Sequence, residues 1–152
     1  MEEIKNIWND MAVDRYLHDV PLKKGVLPLI KELHAKGIKM GIASSNSIEL
    51  VTAVVKRFEL EQYFEVINTS CQVPKGKPAP DIYLLTAKDL QVKPEECLVF
   101  EDVVQGIQAG KSANMRVCAV EDAYSVDTPE EKAALADYYI NSFTELKVEE
   151  VF

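Results

Sequence analysis

Cysteine, histidine and long apolar runs are scarce in this sequence. The three cysteines, Cys71, Cys97 and Cys118, are odd in number and lack Cys-x-x-Cys spacing, which disfavours a disulfide framework and favours a reducing, cytoplasmic setting. His18 and His34 lie in unrelated segments, and we expect both to be ordinary side chains rather than zinc ligands. No apolar stretch approaches the ~20 residues that span a bilayer, so we expect no membrane partner.

Basic residues are also in the minority, and none of them form a run. Lysine and arginine number 17 against 25 acidic residues, for a net charge of −8. This negative charge would repel nucleic acid, and it favours a metal cation as a partner. A nucleotide-binding or signalling domain is the weaker alternative, because the sequence lacks a Gly-x-Gly-x-x-Gly loop after its first visible strand and lacks the Gly-x-x-x-x-Gly-Lys-[Ser/Thr] pattern of a P-loop.

Apolar periodicity predicts alternating helices and strands over most of the chain. A predicted helix through Ile4, Ile7, Trp8 and Met11 precedes a predicted connector from Val13 to Pro21. The later predicted helices cover residues 26–36, 50–58, 81–90, 104–113 and 128–136, and the predicted strands cover 38–43, 64–68, 97–100, 117–120 and 138–140. This order predicts a doubly wound α/β fold with a parallel sheet. Ligands of such folds bind outside the carboxyl ends of the strands.

Gly37 suits the position just past the end of the helix predicted over residues 26–36. Residues 128–131 predict the start of the last predicted helix, with an N-cap threonine, a first-turn proline and a capping-box glutamate.

A polar turn follows the first of these strands. Ser44, Ser45 and Asn46 lie between a buried strand and a helix, where hydroxyl and amide groups can bind an anion at the helix N-terminus. The alternative is that these residues only cap the helix and shape the turn.

A lysine-containing loop follows the second strand. Lys75 and Lys77 stand beside Pro78 and Pro80, and the prolines restrict the backbone that carries them. A lysine fixed in this way could neutralise charge on a phosphoryl group. The alternative is a solvated surface loop.

Two adjacent carboxylates follow the third strand. Glu101 and Asp102 come directly after a buried run, where they would repel each other unless a cation lay between them, and Mg²⁺ is the usual cation. The alternative places them in the first turn of the next helix, favoured by its dipole. Gly106 and Gly110 each cost about 1 kcal/mol relative to alanine within that helix, which predicts close packing.

In this order and at these strand ends, the motifs resemble those of the haloacid dehalogenase superfamily, particularly its β-phosphoglucomutase-like and phosphoglycolate-phosphatase-like branch. The resemblance covers about residues 22–142. Residues 42–46 resemble the family's second motif, residues 77–81 its third, and residues 100–102 with Gly106 and Gly110 its fourth.

The resemblance implies Mg²⁺-dependent phosphoryl transfer from a small phosphorylated metabolite through an aspartyl-phosphate, with either a phosphatase or a mutase outcome. The implied phosphate-binding residues are Ser44, Ser45, Asn46 and Lys77, and of these Ser44 and Lys77 are the implied catalytic residues. The implied Mg²⁺ ligands are Glu101 and Asp102. Residues 1–21 resemble the end of a helical cap domain and its hinge, and residues 22–152 resemble the α/β core.

The sequence departs from the family pattern in two places. Val103 stands where many relatives carry a small polar residue, which puts one contact near the metal in doubt. The family's first motif is an Asp-x-Asp after a central strand, and here no two aspartates are separated by a single residue. We therefore expect the nucleophile-bearing strand to be missing from this chain and to belong to a longer parent protein.

The missing strand would leave a gap of ~10 Å, which is two strand spacings, in the middle of the sheet. Unpaired backbone groups on both sides would be costly. We expect the sheet to close up, to recruit its own N-terminal segment, or to exchange elements with a second copy, so the chain is a monomer or a strand-exchanged homodimer. The alternative function is a catalytically inactive fragment that at most binds phosphate or Mg²⁺.

Overall fold

The computed structural model describes residues 11–152, and most of the helix predicted through Ile4, Ile7, Trp8 and Met11 lies outside them. Residues 11–18 are helical, so the prediction that a connector begins at Val13 is wrong. The described helices are α1 (residues 11–18), α2 (Val26–Ala35), α3 (Ile48–Arg57), α4 (Asp81–Asp89), α5 (Val104–Ser112), α6 (Pro129–Leu135) and α7 (Val148–Val151). Short 3₁₀ helices cover Ser70–Gln72, Pro94–Glu96 and Phe143–Glu145.

All strand pairs in the described part of the chain are parallel. The strands are β1 (Gly41–Ser44), β2 (Val66–Thr69), β3 (Leu98–Glu101), β4 (Arg116–Val120) and β5 (Tyr138–Ile140). Gly41 lies opposite Val66, and Leu98 lies opposite Arg116. The prediction of an α/β fold with parallel strands is confirmed.

Residues 11–152 form two sheets rather than one, with the orders β1-β2 and β3-β4-β5. Between β1 and β3 lies a cavity of about 680 Å³, which we call the interstrand slot. The expectation that the sheet closes up is therefore not met by the described residues.

Helices cover both faces of the sheets. On one face, Ile82 of α4 and Ile107 of α5 form a buried cluster with Val99 and Val117. On the other face, Leu29 of α2 packs in a second cluster with helix α3. This two-sided coverage is typical of doubly wound parallel folds.

Local sequence signals set several helix boundaries as predicted. Gly37 has a positive φ of 73° just past the end of α2. Thr128 accepts a hydrogen bond from the backbone N–H of Glu131 in a capping box, directly before Pro129. The boundaries of helix α4 and strand β5 lie within one residue of the prediction.

Other boundaries differ from the prediction. Strand β1 begins at Gly41 rather than at residue 38, because its partner β2 begins opposite Gly41. The C-terminal helix α7 was not predicted, yet Val148 and Val151 are buried. Two apolar residues in an acidic segment were too weak a pattern to identify it.

Helix α1 contacts the rest of the protein through Arg57 at the end of α3. The Arg57 guanidinium donates hydrogen bonds to the carbonyl oxygens of Tyr16 and Val20, the latter at 2.6 Å. The boundary predicted at residue 21 falls in the connector between α1 and α2 and stays a prediction. Among residues 11–152, no helix has the length and apolar content needed to cross a bilayer.

Candidate active site

The polar turn after β1 lies at the carboxyl end of that strand. Ser44 is the last residue of β1, and its hydroxyl accepts a hydrogen bond from the backbone N–H of Asn46 at 3.1 Å. Ser47, not Ser44, is the N-cap of α3, and it accepts from the N–H of Leu50 at 3.3 Å. Ser45 and Asn46 are exposed, so this turn is open to a ligand.

Lys77 connects the carboxyl ends of β1 and β3. Its Nζ donates to the carbonyl oxygen of Ala43 at 3.3 Å and forms an ion pair with the carboxylate of Glu101. Its side chain is only 11% exposed, whereas Lys75 in the same loop is exposed. The surface-loop alternative therefore fits Lys75 and not Lys77.

Glu101 is the last residue of β3 and is buried, with 8% of its surface exposed. Its carboxylate accepts hydrogen bonds from Lys77 and from the hydroxyl of Tyr83 on α4. Burial, followed by the charge of Glu101, raises the pKa of Tyr83, so this hydroxyl stays protonated and acts as a donor. Glu101 is thus fixed by two partners.

Asp102 follows in the bend between β3 and α5. Burial raises the pKa of its carboxyl, the charge of Glu101 raises it further, and Lys23 acts in the opposite direction. Lys23 forms an ion pair with Asp122 beyond the end of β4, and this hydrogen bond lowers the pKa of Asp122. Lys23 and Asp122 thus form a second pair of opposite charges at the strand ends, beside Asp102.

The acidic pair does not lie in the first turn of the next helix, because α5 begins at Val104. Val103 is the N-cap residue and has no side-chain acceptor to offer. Asp127, from the loop before α6, accepts a hydrogen bond from the N–H of Val104 at 2.7 Å. A distant carboxylate therefore provides the cap that Val103 cannot.

The two glycines of α5 allow the close packing predicted for them. A Cβ atom on Gly106 would overlap the carboxyl group of Glu101, and one on Gly110 would lie 2.7 Å from a methyl carbon of Val117. Gly106 therefore makes room for the buried carboxylate.

The residues present fit part of a Mg²⁺ site. Glu101 and Asp102 provide carboxylate oxygens, the donor type that Mg²⁺ prefers, and Mg²⁺ commonly takes few carboxylates together with water and phosphate oxygens. Within residues 11–152 there is no cluster of three or more His, Cys, Asp or Glu residues suited to a metal. The remaining ligands would have to come from water, substrate or other parts of the protein.

Lys77 contacts Ala43, the neighbour of Ser44, and Glu101, the neighbour of Asp102. Ser45 and Asn46 are exposed in the turn that follows Ser44. Sequence reasoning missed Tyr83, Lys23 and Asp122. No local pattern could have found the last two, since 99 residues separate the atoms of that ion pair. The catalytic and binding roles of Ser44, Lys77, Glu101 and Asp102 are proposals.

Comparisons with known proteins show the family of this chain. The family model for haloacid dehalogenase-like hydrolases matches residues 1–120. Hexitol phosphatase B of Escherichia coli (strain K12) is 31% identical over 131 residues, covering 86% of this chain and 58% of that protein.

Two solved structures are similar over nearly the whole chain. CbbY of Rhodobacter sphaeroides in complex with phosphate superposes with a TM-score of 0.86 at 30% identity, covering 95% of this chain and 65% of that one. β-Phosphoglucomutase of Clostridium difficile gives a TM-score of 0.78 at 27% identity, covering 99% of this chain and 62% of that one.

The chain spans less than two thirds of the length of each of these three proteins. The family model nevertheless covers most of the 152 residues. The chain belongs to the haloacid dehalogenase-like hydrolase family, in the branch that contains phosphatases and β-phosphoglucomutase.

Proposed function

We propose that the complete protein transfers a phosphoryl group from a small phosphorylated metabolite through an aspartyl-phosphate, with Mg²⁺ as cofactor. The observation that carries the proposal is the position of Lys77, whose ammonium group contacts both Ala43, next to Ser44, and Glu101. A phosphate bound at this point would meet a hydroxyl, a cation and two carboxylates.

Each proposed role follows from the chemistry of the side chain. Ser44, with Ser45 and Asn46 beside it, would donate hydrogen bonds to phosphoryl oxygens at the N-terminus of α3. Lys77 would neutralise charge that develops on the nucleophile and the phosphoryl group. Because Lys77 is nearly buried, its charge acts where water screens it least.

Glu101 and Asp102 would hold Mg²⁺, which when bound neutralises charge on the phosphoryl oxygens. The hydrogen bond from Tyr83 holds one carboxylate oxygen of Glu101 in place. The raised pKa of Asp102 reflects a half-buried carboxyl group that a nearby cation would stabilise in its charged form. Both features support the proposal of a cation site at this strand end.

The proposed nucleophile must come from outside this sequence, which has no Asp-x-Asp. The activity therefore belongs to a protein that supplies an aspartate next to Lys77. Whether water or a second hydroxyl receives the phosphoryl group depends on parts of the protein outside residues 11–152. A cytoplasmic setting completes the proposal and is supported by the free thiols of Cys71, Cys97 and Cys118.

The proposal is tested in the complete protein with a panel of sugar phosphates and other small phosphate monoesters. We expect Lys77→Ala to lower kcat at least ~10²-fold, the effect of removing one charge-stabilising group from an active site. Lys75→Ala, in the same loop but exposed, should change kcat little. Equal effects of the two substitutions would argue against the assigned role of Lys77.

A second candidate is that these 152 residues alone form an inactive fragment that at most binds phosphate or Mg²⁺, and the absence of an Asp-x-Asp favours it. Positioning and charge cannot replace a missing nucleophile. The purified chain should show no turnover of p-nitrophenyl phosphate with Mg²⁺. Turnover that Lys77→Ala abolishes would refute this candidate.

A further inference from the structure

Lys23 brings a second ammonium group to the carboxyl ends of the strands. Its Nζ forms an ion pair with the carboxylate of Asp122, just past the end of β4. Strand β4 is the neighbour of β3, and Ala119 lies opposite Glu101 in their register. Asp102 and Asp122 therefore follow adjacent strands at the same edge of the sheet, and Lys23 reaches the strand end that carries the acidic pair.

The charge of Lys23 acts on Asp102 although the two side chains are not paired. Within residues 11–152, no ion pair involves Asp102. Burial and the charge of Glu101 raise the pKa of Asp102, and the charge of Lys23 opposes them. The side chain of Lys23 is 40% exposed and has a flexible four-carbon stem. It therefore has the freedom to turn from one carboxylate towards the other.

Asp122 is held more firmly than Lys23. One of its carboxylate oxygens accepts a hydrogen bond from the backbone N–H of Tyr124 at 2.7 Å, and the other pairs with Lys23. The preceding residue, Glu121, donates its N–H to the carbonyl oxygen of Ile140 at 2.9 Å, which joins this turn to β5. The lysine side chain is therefore the mobile partner of the ion pair.

The backbone that carries Lys23 is fixed against the segment after β5. The carbonyl oxygen of Lys24 accepts a hydrogen bond from the hydroxyl of Ser142 at 3.3 Å. Gly25 has a positive φ of 84°, and a Cβ atom there would lie 2.7 Å from the backbone nitrogen of Thr144. Because these contacts hold the connector in place, the ammonium group of Lys23 stays within reach of the strand ends.

We propose that Lys23 is an internal competitor of Mg²⁺ for Asp102 and that Asp122 holds it away from that carboxylate. This inference rests on the proposed function, in which Glu101 and Asp102 hold Mg²⁺. An ammonium group on Asp102 would repel the metal, because like charges a few ångströms apart repel each other even near a protein surface. While Lys23 is paired with Asp122, the pair has no net charge and Asp102 stays open to the metal. Asp122 is thus a positioning residue that acts through Lys23.

The test is a set of Mg²⁺ titrations of the ¹⁵N-labelled 152-residue chain at constant ionic strength, followed by the NMR shifts of the Asp102 and Val103 amides. Asp122→Asn releases Lys23 and should raise the Mg²⁺ dissociation constant at least ~10-fold. In the Lys23→Met background, Asp122→Asn should raise it at most ~3-fold, the effect of losing one exposed carboxylate. In the Lys24→Met background it should keep its full effect, because Lys24 is the exposed neighbour of Lys23 and removes the same charge.

Equal effects of Asp122→Asn with and without Lys23 would overturn the inference, because Asp122 would then act on the metal directly. A Lys24→Met background that behaves like Lys23→Met would overturn it as well, since the total charge would explain both. If Mg²⁺ binds all variants equally well, the inference fails and the cation site stands. If Mg²⁺ shifts neither amide in any variant, the cation site of the proposed function fails together with the inference.

Discussion

The buried carboxylate of Glu101 needs the space that Gly106 of helix α5 leaves open by having no side chain. Its carboxyl group occupies the space where a Cβ atom of Gly106 would lie, while Lys77 and Tyr83 hold its oxygen. A helix interior normally gains from replacing glycine by alanine. Here the position of Glu101 reverses that preference.

Gly106→Ala should lower the free energy of unfolding by about 1–3 kcal/mol, the usual cost of an overpacked site. The matched control is Gly76→Ala, whose Cβ would lie 3.8 Å from the nearest atom, and it should stay within about 0.5 kcal/mol of the parent. Urea unfolding measures both. If Gly106→Ala were stabilised by the ~1 kcal/mol of helix propensity, Glu101 would not be held as described.

Asp102→Asn should raise the free energy of unfolding at pH 7. Burial and the charge of Glu101 raise the folded-state pKa of Asp102, so the folded state disfavours the charged form. The wild type therefore gains stability as the pH falls from the folded pKa towards the unfolded value of about 3.9. The difference in the free energy of unfolding between Asp102→Asn and the wild type should be largest at neutral pH. It should vanish below a pH of about 3.9.

Urea unfolding from pH 7 to pH 3.5 measures this difference. Asp19→Asn, at an exposed position in the connector, is the control and should leave the free energy of unfolding at pH 7 within about 0.5 kcal/mol of the parent. A variant that is less stable than the parent at pH 7 would mean that Asp102 already has a stabilising cation partner.

At the scale of elements, helix α6 contains a lysine that sequence patterns assign to the surface. Lys132 is completely buried, and its Nζ lies 3.2 Å from Glu121 without a well-formed hydrogen bond. Glu121 also accepts a hydrogen bond from Tyr139 of β5, which lowers the pKa of Glu121. The lysine thus joins α6 to the ends of β4 and β5.

Lys132→Ala should lower the free energy of unfolding by about 2–3 kcal/mol, because truncating a completely buried side chain leaves a cavity. Lys111→Ala removes an ion pair with Asp137 in which the side chains are 40% and 33% exposed, and it should lower the free energy of unfolding by at most ~1 kcal/mol. Chemical denaturation compares the two. Equal losses of unfolding free energy in the two variants would show that the buried Lys132 contributes no more stability than the exposed Lys111.

At the scale of the whole molecule, Arg57 at the end of α3 connects helix α1 to the core. Its guanidinium donates hydrogen bonds to the carbonyl oxygens of Tyr16 and Val20, and no side chain of residues 11–18 is fully buried. Arg57→Gln should speed amide exchange in residues 11–18 several-fold by releasing this end. The melting temperature of the core should hardly change, since exposed interactions of this kind contribute at most ~1 kcal/mol.

Hydrogen exchange resolved by residue measures the release of α1. Lys56→Gln is the control, because Lys56 is the exposed neighbour of Arg57 on the same helix and should leave α1 unaffected. Unchanged exchange in residues 11–18 of Arg57→Gln would mean that other contacts hold the helix.

The order of the elements could be predicted from the sequence because each signal is local. Apolar spacing gave α2 to α6, Gly37 and Thr128 marked helix ends, and the polar residues at the ends of β1 and β3 indicated the candidate site. Such signals act within a few residues and do not depend on the path of the chain. Boundaries that depend on a partner strand, such as the start of β1, could not be predicted in this way.

The sequence by itself determined the α/β order and the residue types of the site, since periodicity and capping act between near neighbours. Only the tertiary structure decided that Lys77 contacts Glu101 across 24 residues, that Lys23 meets Asp122, and that Lys132 is buried. It also decided that the strands within residues 11–152 form two separate sheets. Contacts between distant residues depend on how the whole chain packs, and no local pattern records that.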